Sequence, residues 1–544
     1  MLTIRARRLP WIDPVQARIE GQAAIVAMTA VLASYGSALL LEHLAHLHVD
    51  LVVQSVVLSL TLARTQRMAF LPDRLAGCLI LPAFAMAADE VNTLVAHHPT
   101  TGDTTFVLLV SLSIWIRRFG PHAAKAGTTA VLPLVALLAL QGPAGSPPGA
   151  SHTGWAGLIG LIAATWVLAV QVGAGLLGFG EHPWPRRSPA PVRQQPPHAG
   201  GARARGRVRA STRMALQMAV ALAAAFMVGR NAYPAHWTWV VLTAFIVCSG
   251  ARGRADVVHK GLMRSLGAAL GTIVATWIAG GYRPGDRTSV VLIFAVLALA
   301  VWLRKASYAF WAGGVTSVLS LLYGYFGESA PALLRTRLTE ILIGAVIGMA
   351  ASWFVLPVRT THLLRRRVAE ALTPLSDLLH LLGSGHWEAA EITHQRVRFG
   401  QGVALLDQLA PALRAQRTLV RLWASAPYRM DAIEAVQQCT APVRALAAYA
   451  KDQGDTDQTQ REESRQQVEQ VKRTAAAVLA NIGAVRRTIG RKPGDGYHPL
   501  PTWSSNETDR VGEAQVPAIA ALAEIDRALG RLAASYRTRS PSPL

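Results

Sequence analysis

The sequence predicts an all-α membrane protein with about 12 transmembrane helices in two repeated six-helix halves, followed by a C-terminal cytoplasmic helical domain. Three observations support this fold class: recurring apolar stretches, an alternation of positive charge between them, and a likeness between the first six stretches and the last six. Only 16% of the 544 residues are charged and 51% are hydrophobic, whereas soluble domains carry about 25% charged residues.

Twelve stretches of the chain are free or nearly free of charge. They are 22–41, 51–63, 75–96, 104–116, 126–142, 154–179, 214–229, 235–251, 265–282, 288–303, 306–327 and 338–358. A helix needs about 20 residues to cross the hydrocarbon core, so the stretches 51–63 and 104–116 are short. Taken alone, these two could be buried or re-entrant segments, and the charge of the flanking loops has to decide whether they cross.

Positive charge alternates strictly between successive loops. If every stretch crosses and the N-terminus is cytoplasmic, the inner segments hold 24 Lys and Arg residues and the outer segments hold 5. The positive-inside rule requires such an asymmetry, and omitting one short stretch would invert every later loop. We therefore expect a multi-pass membrane protein with N- and C-termini cytoplasmic.

The predicted domains follow from this pattern and from composition. They are a cytoplasmic N-terminus at 1–20, a first six-helix membrane repeat at 21–180, a Pro/Gly/Arg-rich cytoplasmic linker at 181–211, a second six-helix membrane repeat at 212–358 and a cytoplasmic helical domain at 359–544. The first 357 residues contain 29 Lys and Arg against 13 Asp and Glu, and the remainder contains 25 against 19. In the remainder, apolar residues such as Val471, Val478 and Ile482 recur at helical spacing, which predicts a bundle of four or five helices.

The two sets of six stretches resemble each other in sequence. Ser113–Arg118 matches Ala300–Lys305, and Arg74-Leu-Ala-Gly77 lies where Arg264-Ser-Leu-Gly267 lies. Each half has an even number of spans and starts inside, so the repeat is parallel. Many transporters place a binding site or pathway at the interface of such repeats; the alternative is that duplication only builds a large bundle.

Several function classes are disfavoured by composition and motifs. The net charge of +22 could suit nucleic acid, but the excess lies in short loops, where topology explains it, and we expect no nucleic-acid partner. Cys78, Cys248 and Cys439 are far apart and form no metal-ligand spacing. No GxxxxGK[ST] loop occurs, which disfavours ATP-driven pumping. We expect no catalytic group, no cofactor and no metal, and hence no enzyme.

Arg264 and Arg74 are the candidate substrate-binding cations, since each is predicted to lie at the entrance of a span. Arginine pairs with a carboxylate through two hydrogen bonds while staying ionised, so a buried arginine can bind a small anion. Gly267 and Gly271 follow Arg264 and would allow close helix packing. The alternative is that both arginines are ordinary positive-inside anchors.

Ionisable side chains within spans are the candidates for proton coupling. Glu340, Asp89 and Glu90 are placed there by the predicted spans, although each could be an interfacial carboxylate, Glu340 then pairing with Arg335 or Arg337. His236, Trp237 and Trp239 stand at a predicted outer boundary. They are either interface anchors or a substrate-binding platform on which an aromatic ring could stack.

One segment of the second half carries a family resemblance. Asn231–Thr243 contains Pro-Ala-His-Trp at a span entry, Arg264–Thr272 reads Arg-x-x-Gly-x-x-x-Gly-Thr, and Arg337–Gly344 follows. This order resembles the fusaric-acid-resistance-like family, within the aromatic acid exporter superfamily. The close match covers about 230–280, and span count and hydropathy extend it over 20–358. The first half departs from the pattern because it lacks the Trp-containing span entry, and Leu-Pro82 stands where Gly-Thr is expected.

The resemblance implies an inner-membrane exporter of small, often aromatic, organic acids that uses the proton gradient. A more distant likeness to plant malate channels makes a passive anion channel the second possible function. The third is a membrane scaffold or sensor with a partner-binding helical tail. The expected partners are a small organic-acid substrate and the lipid bilayer. A homo-oligomer is compatible with the sequence, and the family resemblance is compatible with a periplasmic adaptor protein.

Overall fold

A computed structural model describes residues 14–46, 49–67, 71–140, 153–179, 210–251, 253–279, 285–304, 306–325, 331–356, 360–385, 388–414, 428–455, 465–490, 496–500 and 516–537. All regular secondary structure in these residues is helical, which confirms the all-α prediction. The chain divides into two compact units. We call 1–251 with 260–357 the membrane unit, and 252–259 with 358–544 the tail unit.

Each predicted apolar stretch corresponds to one helix, and these helices lie in the membrane unit except for residues 254–259, which begin the ninth helix and belong to the tail unit. The helices are α1 (Pro14–Ala45), α2 (Val49–Thr65), α3 (Leu71–His97), α4 (Pro99–Trp115), α5 (Pro121–Leu140), α6 (Thr153–Leu176), α7 (Ala210–Ala232), α8 (Trp237–Cys248), α9 (Arg254–Ala279), α10 (Arg287–Leu303), α11 (Tyr308–Tyr325) and α12 (Pro331–Phe354). Four of them begin at a proline, whose missing N–H costs nothing at a helix start.

Five helices of the described part are long and apolar enough to cross a membrane. They contain Ala17–Ala45, Arg74–His97, Thr153–Leu176, Ala210–Ala232 and Thr336–Phe354. The two stretches that were short in the sequence, α2 and α4, are helices of 17 residues each, at the lower limit of a span. The helices therefore indicate a multi-pass membrane protein, while twelve crossings and the orientation of the termini stay predictions.

Two predicted boundaries differ from the structure. The expected linker 181–211 lies outside the described residues as far as 209, and its last two residues already belong to α7. The expected N-terminal segment 1–20 lies outside them as far as 13, and α1 then starts at Pro14. Both helices are longer than their apolar stretches because the first helical turn tolerates polar and charged residues.

A shared packing contact supports the repeat inferred from the sequence. A Cβ atom on Gly127 would meet the Ser113 backbone, and one on Gly314 would meet Ala300. Ser113 and Ala300 correspond in the repeat, and each glycine comes fourteen residues later in its half. The fourth and fifth helices of the first half thus approach each other as α10 and α11 do in the second.

The tail unit has its own apolar core. Its fully described helices are α13 (Thr360–Ser384), α14 (Ala389–Asp407), α15 (Tyr428–Gln438), α16 (Thr440–Asp455), α17 (Arg465–Gly490) and α18 (Val516–Arg537). Val471, Val478, Ile482 and Val485, the predicted apolar stripe of α17, are all buried in this core. That stripe explains why α17 packs against the other helices of the unit.

Candidate functional site

An apolar cavity of about 350 Å³ lies between the two halves of the membrane unit. The first half contributes side chains of α1, α2 and α5, and the second half contributes side chains of α8, α9, α10 and α11. The lining follows α11 from Trp311 to Tyr325, about 21 Å at 1.5 Å per residue. Both halves therefore form one cavity, and it lies where transporters with internal repeats commonly bind their substrate.

Arg264 is a positive charge in the wall of this apolar cavity. Its side chain is 1% exposed, and its Nε and Nη2 atoms have no hydrogen-bond partner in the described part of the chain. Its electrostatic neighbour is the Tyr308 hydroxyl. A buried cation with unused donors is costly, and a carboxylate is the ligand that matches a guanidinium group best.

The surroundings of Arg264 are set by close packing of α9 on α11. A Cβ atom on Gly267 would lie 2.5 Å from the Ala309 carbonyl oxygen, and one on Gly271 would meet the Gly313 carbonyl. The Ser317 hydroxyl donates to the Gly271 carbonyl at 3.0 Å. Arg264 stands on α9 just before the two glycines, and α9 begins at Arg254. Arg264 thus lies ten residues inside its helix, while its predicted place at the entrance of a membrane span stays a prediction.

Arg74 lines a second cavity, also of about 350 Å³, which is basic. Arg74 is 3% exposed, and its Nη2 atom donates to the Arg67 carbonyl oxygen at 3.5 Å. Arg64, Arg67 and Arg304 line the same space, together with Glu20. The structure therefore places the two arginines predicted from the repeat in the walls of two cavities.

Arg64 stands between the two cavities. It lines the basic cavity, and its guanidinium carbon lies 4.3 Å from the centre of the Trp311 ring. Trp311 in turn lines the apolar cavity. Arg64, Arg264 and Arg304 all lie within electrostatic reach of the Tyr308 hydroxyl, so the ends of the two cavities share one group of arginines.

Glu340 forms a separate buried polar cluster with His236 and Arg337. Its side chain is fully buried, and neither carboxylate oxygen has a hydrogen-bond partner among the described residues. His236 Nδ1 lies 4.0 Å from the Glu340 Oε1 atom. Arg337 lies one turn before Glu340 on α12, over the rings of Tyr323 at 3.7 Å and Trp239 at 4.9 Å.

The predicted aromatic residues at the start of α8 are buried in the protein. Trp237 is 9% exposed and Trp239 is 3% exposed, and neither lines either of the two cavities. The Trp237 ring lies 4.2 Å from the Arg230 guanidinium carbon and 5.3 Å from the Phe226 ring. Their observed contacts pack α8 into the membrane unit and hold the Arg337 side chain.

Asp89 and Glu90 occupy a different place from the Glu340 cluster. The Thr153 hydroxyl at the start of α6 donates to Glu90 at 2.8 Å and lies 3.4 Å from the Asp89 carboxylate. Glu90 is exposed and Asp89 is half-buried. These contacts join α3 to α6 within the first half, and they do not bring Asp89 and Glu90 together with Glu340.

Sequence reasoning missed Arg64, Arg304, Tyr308 and Trp311 as site residues. Arg64 and Arg304 were counted only as inner-loop charges, and their number gave no sign that they share a cavity wall. Tyr308 and Trp311 open the eleventh apolar stretch, where aromatic residues are common interface anchors. The sequence feature that could have identified these residues is an arginine close to an aromatic residue at a predicted inner boundary of the membrane.

Comparison with curated proteins found no match. A comparison with protein-family models found a match over residues 218–351, which span most of α7 and all of α8 to α11 and reach into α12. The model is described as fusaric acid resistance protein-like. Residues 218–351 are therefore similar to the fusaric-acid-resistance-like family, which confirms the resemblance for this part of the chain.

Proposed function

We propose that this protein is an inner-membrane secondary transporter that exports small aromatic or other organic acids and is driven by the proton gradient. The observation that carries the proposal is the position of Arg264, a buried cation in the wall of an apolar cavity shared by both halves. The family match over residues 218–351 supports membrane transport of the resistance type.

The cavity matches the two parts of an aromatic acid. Moving a carboxylate into an apolar interior is costly unless a fixed positive charge offsets the lost hydration. Arg264 supplies that charge and has two nitrogen atoms with unused donors. Valine, leucine and isoleucine side chains, with the rings of Phe294 and Trp311, form most of the remaining wall, which suits the apolar body of the acid.

The far end of the cavity carries the opposite charge. Tyr325 ends α11 and Glu42 lies in the last turn of α1, and both line the cavity. A carboxylate held by Arg264 would approach Glu42 as it moved along α11, and like charges repel. Glu42 therefore favours release of the anion at that end.

Glu340 is our candidate for the proton-carrying group. It is fully buried, with Arg337 as its charged neighbour, the His236 ring beside it and the Tyr323 ring beyond Arg337. Adding or removing a proton at such a carboxyl group changes the charge balance of the buried cluster, and this change can bias the packing of α8 against α12.

Flux into and out of proteoliposomes tests the proposal. We expect the purified protein to move aromatic carboxylates such as benzoate, and to accumulate them against their gradient only while a pH gradient is present. Currents that reverse at the anion equilibrium potential without proton coupling would instead establish a passive channel. If none of the carboxylates tested moves, and the tail unit specifically captures a soluble protein, the protein is a scaffold or sensor.

A further inference from the structure

The basic cavity beside Arg74 is a feature that transport through the apolar cavity does not by itself require. It lies among α1, α2, α3, α6 and α10. Its described charged lining residues are four arginines and one glutamate: Arg64, Arg67, Arg74, Arg304 and Glu20. Glu20 is paired with Arg67 at 2.9 Å, so the wall keeps an excess of positive charge.

Membrane topology alone does not explain this arrangement. Arginines at the inner boundary of a span usually extend toward water and lipid headgroups. Here Arg74 is 3% exposed, Arg64 is half-buried, and both line the same cavity. Gathering like charges around a cavity costs free energy, and an anion inside the cavity offsets that cost.

Arg64 connects the basic cavity to the apolar one. Its Nε atom is buried without a hydrogen-bond partner in the described ranges, and its guanidinium carbon is 4.3 Å from the Trp311 ring centre. A guanidinium group over an aromatic face is held by a cation–π contact of modest strength. A carboxylate can therefore draw Arg64 from the ring, and the opening would lie where Trp311 faces the apolar cavity.

We propose that the basic cavity is a second anion-binding site, which binds the carboxylate of the exported acid before the acid passes Arg64 and Trp311. This inference rests on the proposed export function. The chemistry recognised is that of a small oxyanion, which a free carboxylate, inorganic phosphate and the phosphate of a lipid headgroup share. Arg304, which is exposed at this cavity, is the group that a ligand from the aqueous side reaches.

Equilibrium binding of benzoate to the full chain in nanodiscs of zwitterionic lipid tests the site directly. We expect the wild type to bind benzoate at two sites, with inorganic phosphate competing at one of them. Arg304→Gln and Arg64→Gln should each weaken that phosphate-sensitive site roughly tenfold, the loss expected for one charge-assisted contact. Arg264→Gln should weaken the other site.

Arg18→Gln is the matched control, because Arg18 is an exposed arginine on α1 that does not line the cavity. It removes the same charge from the same end of the membrane unit and should leave both sites unchanged. A single benzoate site that Arg304→Gln and Arg64→Gln leave intact would overturn the inference. So would equal weakening by Arg18→Gln, because the effect would then come from general surface charge.

Nanodiscs of anionic lipid distinguish a soluble ligand from a lipid headgroup. If benzoate binds the phosphate-sensitive site equally in anionic and zwitterionic lipid, the occupant is the soluble acid, as proposed. If anionic lipid alone abolishes that binding in the wild type, the basic cavity holds a lipid phosphate and the assignment to the exported acid is wrong.

Transport kinetics separate failure of this inference from failure of the proposed function. Wild-type proteoliposomes that move no carboxylate would refute the export function, whatever the binding result. If the wild type transports benzoate, Arg304→Gln and Arg64→Gln should raise KM for benzoate roughly tenfold, with a smaller change in the maximal rate. An unchanged KM in both variants would refute the second site and leave the export function standing.

Discussion

Arg230 on α7 and Asp103 on α4 form a two-point ion pair that joins the two halves of the membrane unit. Arg230 Nε lies 2.5 Å from Asp103 Oδ2, and Nη2 lies 2.6 Å from Oδ1. The same guanidinium group covers the Trp237 ring at 4.2 Å. Since Trp237 begins α8 directly after His236, the pair also fixes the helix start beside the Glu340 cluster.

Breaking this pair should destabilise the membrane unit. Asp103→Asn removes the negative charge of the pair, and Arg230→Lys removes its two-point geometry. Each change should lower the free energy of unfolding by about 1–3 kcal/mol. We expect a lower thermal unfolding temperature in detergent for each variant. Arg287→Lys, at an exposed arginine, is the control and should have no effect. Equal stability of Asp103→Asn and the wild type would show that the pair contributes nothing to joining the halves.

Arg264→Leu should strongly slow transport without unfolding the protein. The substitution removes the charge that holds the carboxylate, so we expect the rate of benzoate flux to fall by roughly 10- to 100-fold. It also removes a buried charge whose donors are not satisfied, so the unfolding temperature should stay equal or rise. Arg118→Gln, at an arginine stacked on Trp115 away from the cavities, should transport normally. Wild-type flux by Arg264→Leu would reject the assignment.

The helices could be predicted from the sequence, and Arg74 and Arg264 were singled out there, but how the two cavities are formed could not be predicted. Apolar stretches and loop charge depend on local composition, which is why α1 to α12 could be placed. The Arg64–Trp311 contact joins residues from different halves of the chain, and no local pattern reports it. A count of positive charges does not distinguish Arg64 from Arg18, although of these two residues Arg64 lines a cavity and Arg18 does not.

The depth of Arg264 is a second feature that local composition did not reveal. Arg254 and Lys260 were assigned to a loop because they are charged, yet both belong to α9. Helix propensity continues through charged residues at a membrane boundary, so the helix starts before the apolar stretch does. Likewise, His236 and Glu340 are far apart in sequence, and they meet only because α8 packs on α12.

Gly271→Ala and Gly173→Ala should change stability in opposite directions. A Cβ atom on Gly271 would collide with the Gly313 backbone, whereas one on Gly173 in α6 would have nothing within 4 Å. Alanine favours the helix over glycine by about 1 kcal/mol, so Gly173→Ala should raise the unfolding temperature. Gly271→Ala should lower it, because α9 and α11 must separate. A rise in both variants would show that close packing at Gly271 is dispensable.

Glu340→Gln should uncouple transport from the proton gradient. Glutamine keeps the size of the side chain but cannot gain or lose a proton, so benzoate should still move down its own gradient. A pH gradient should no longer drive its accumulation, which paired flux measurements with and without that gradient would reveal. Glu90→Gln, at an exposed carboxylate, tests the other predicted group and should keep full coupling. Accumulation by Glu340→Gln at the wild-type level would exclude Glu340 as the proton-carrying group.

In the tail unit, the buried Asp526 carboxylate holds the segment 496–500 against α18 through hydrogen bonds. Asp526 is 3% exposed and accepts hydrogen bonds from Asn481 Nδ2 at 2.8 Å, the Tyr497 hydroxyl at 2.9 Å and the Leu500 N–H at 2.8 Å. Burial, and then the hydrogen bond and charge of Asp526, raise the pKa of Tyr497 well above its ordinary value. The neutral Tyr497 hydroxyl is therefore the form that the folded tail favours.

Tyr497→Phe should reduce the stability of the tail most at neutral pH and least at high pH. Because the folded-state pKa is raised, the contribution of Tyr497 is complete below the unfolded-state pKa of about 10 and declines as pH rises beyond it. Thermal unfolding of the full chain from about pH 8 to about pH 11 measures this. The difference between the wild type and Tyr497→Phe should stay constant up to about pH 9.5 and then shrink, since the unfolded wild type gains stability by ionising its tyrosine. Tyr449→Phe is the comparison, because burial raises the pKa of Tyr449 to about 12. A difference that stays constant across the whole range would show that the hydroxyl of Tyr497 does not fasten the segment to Asp526.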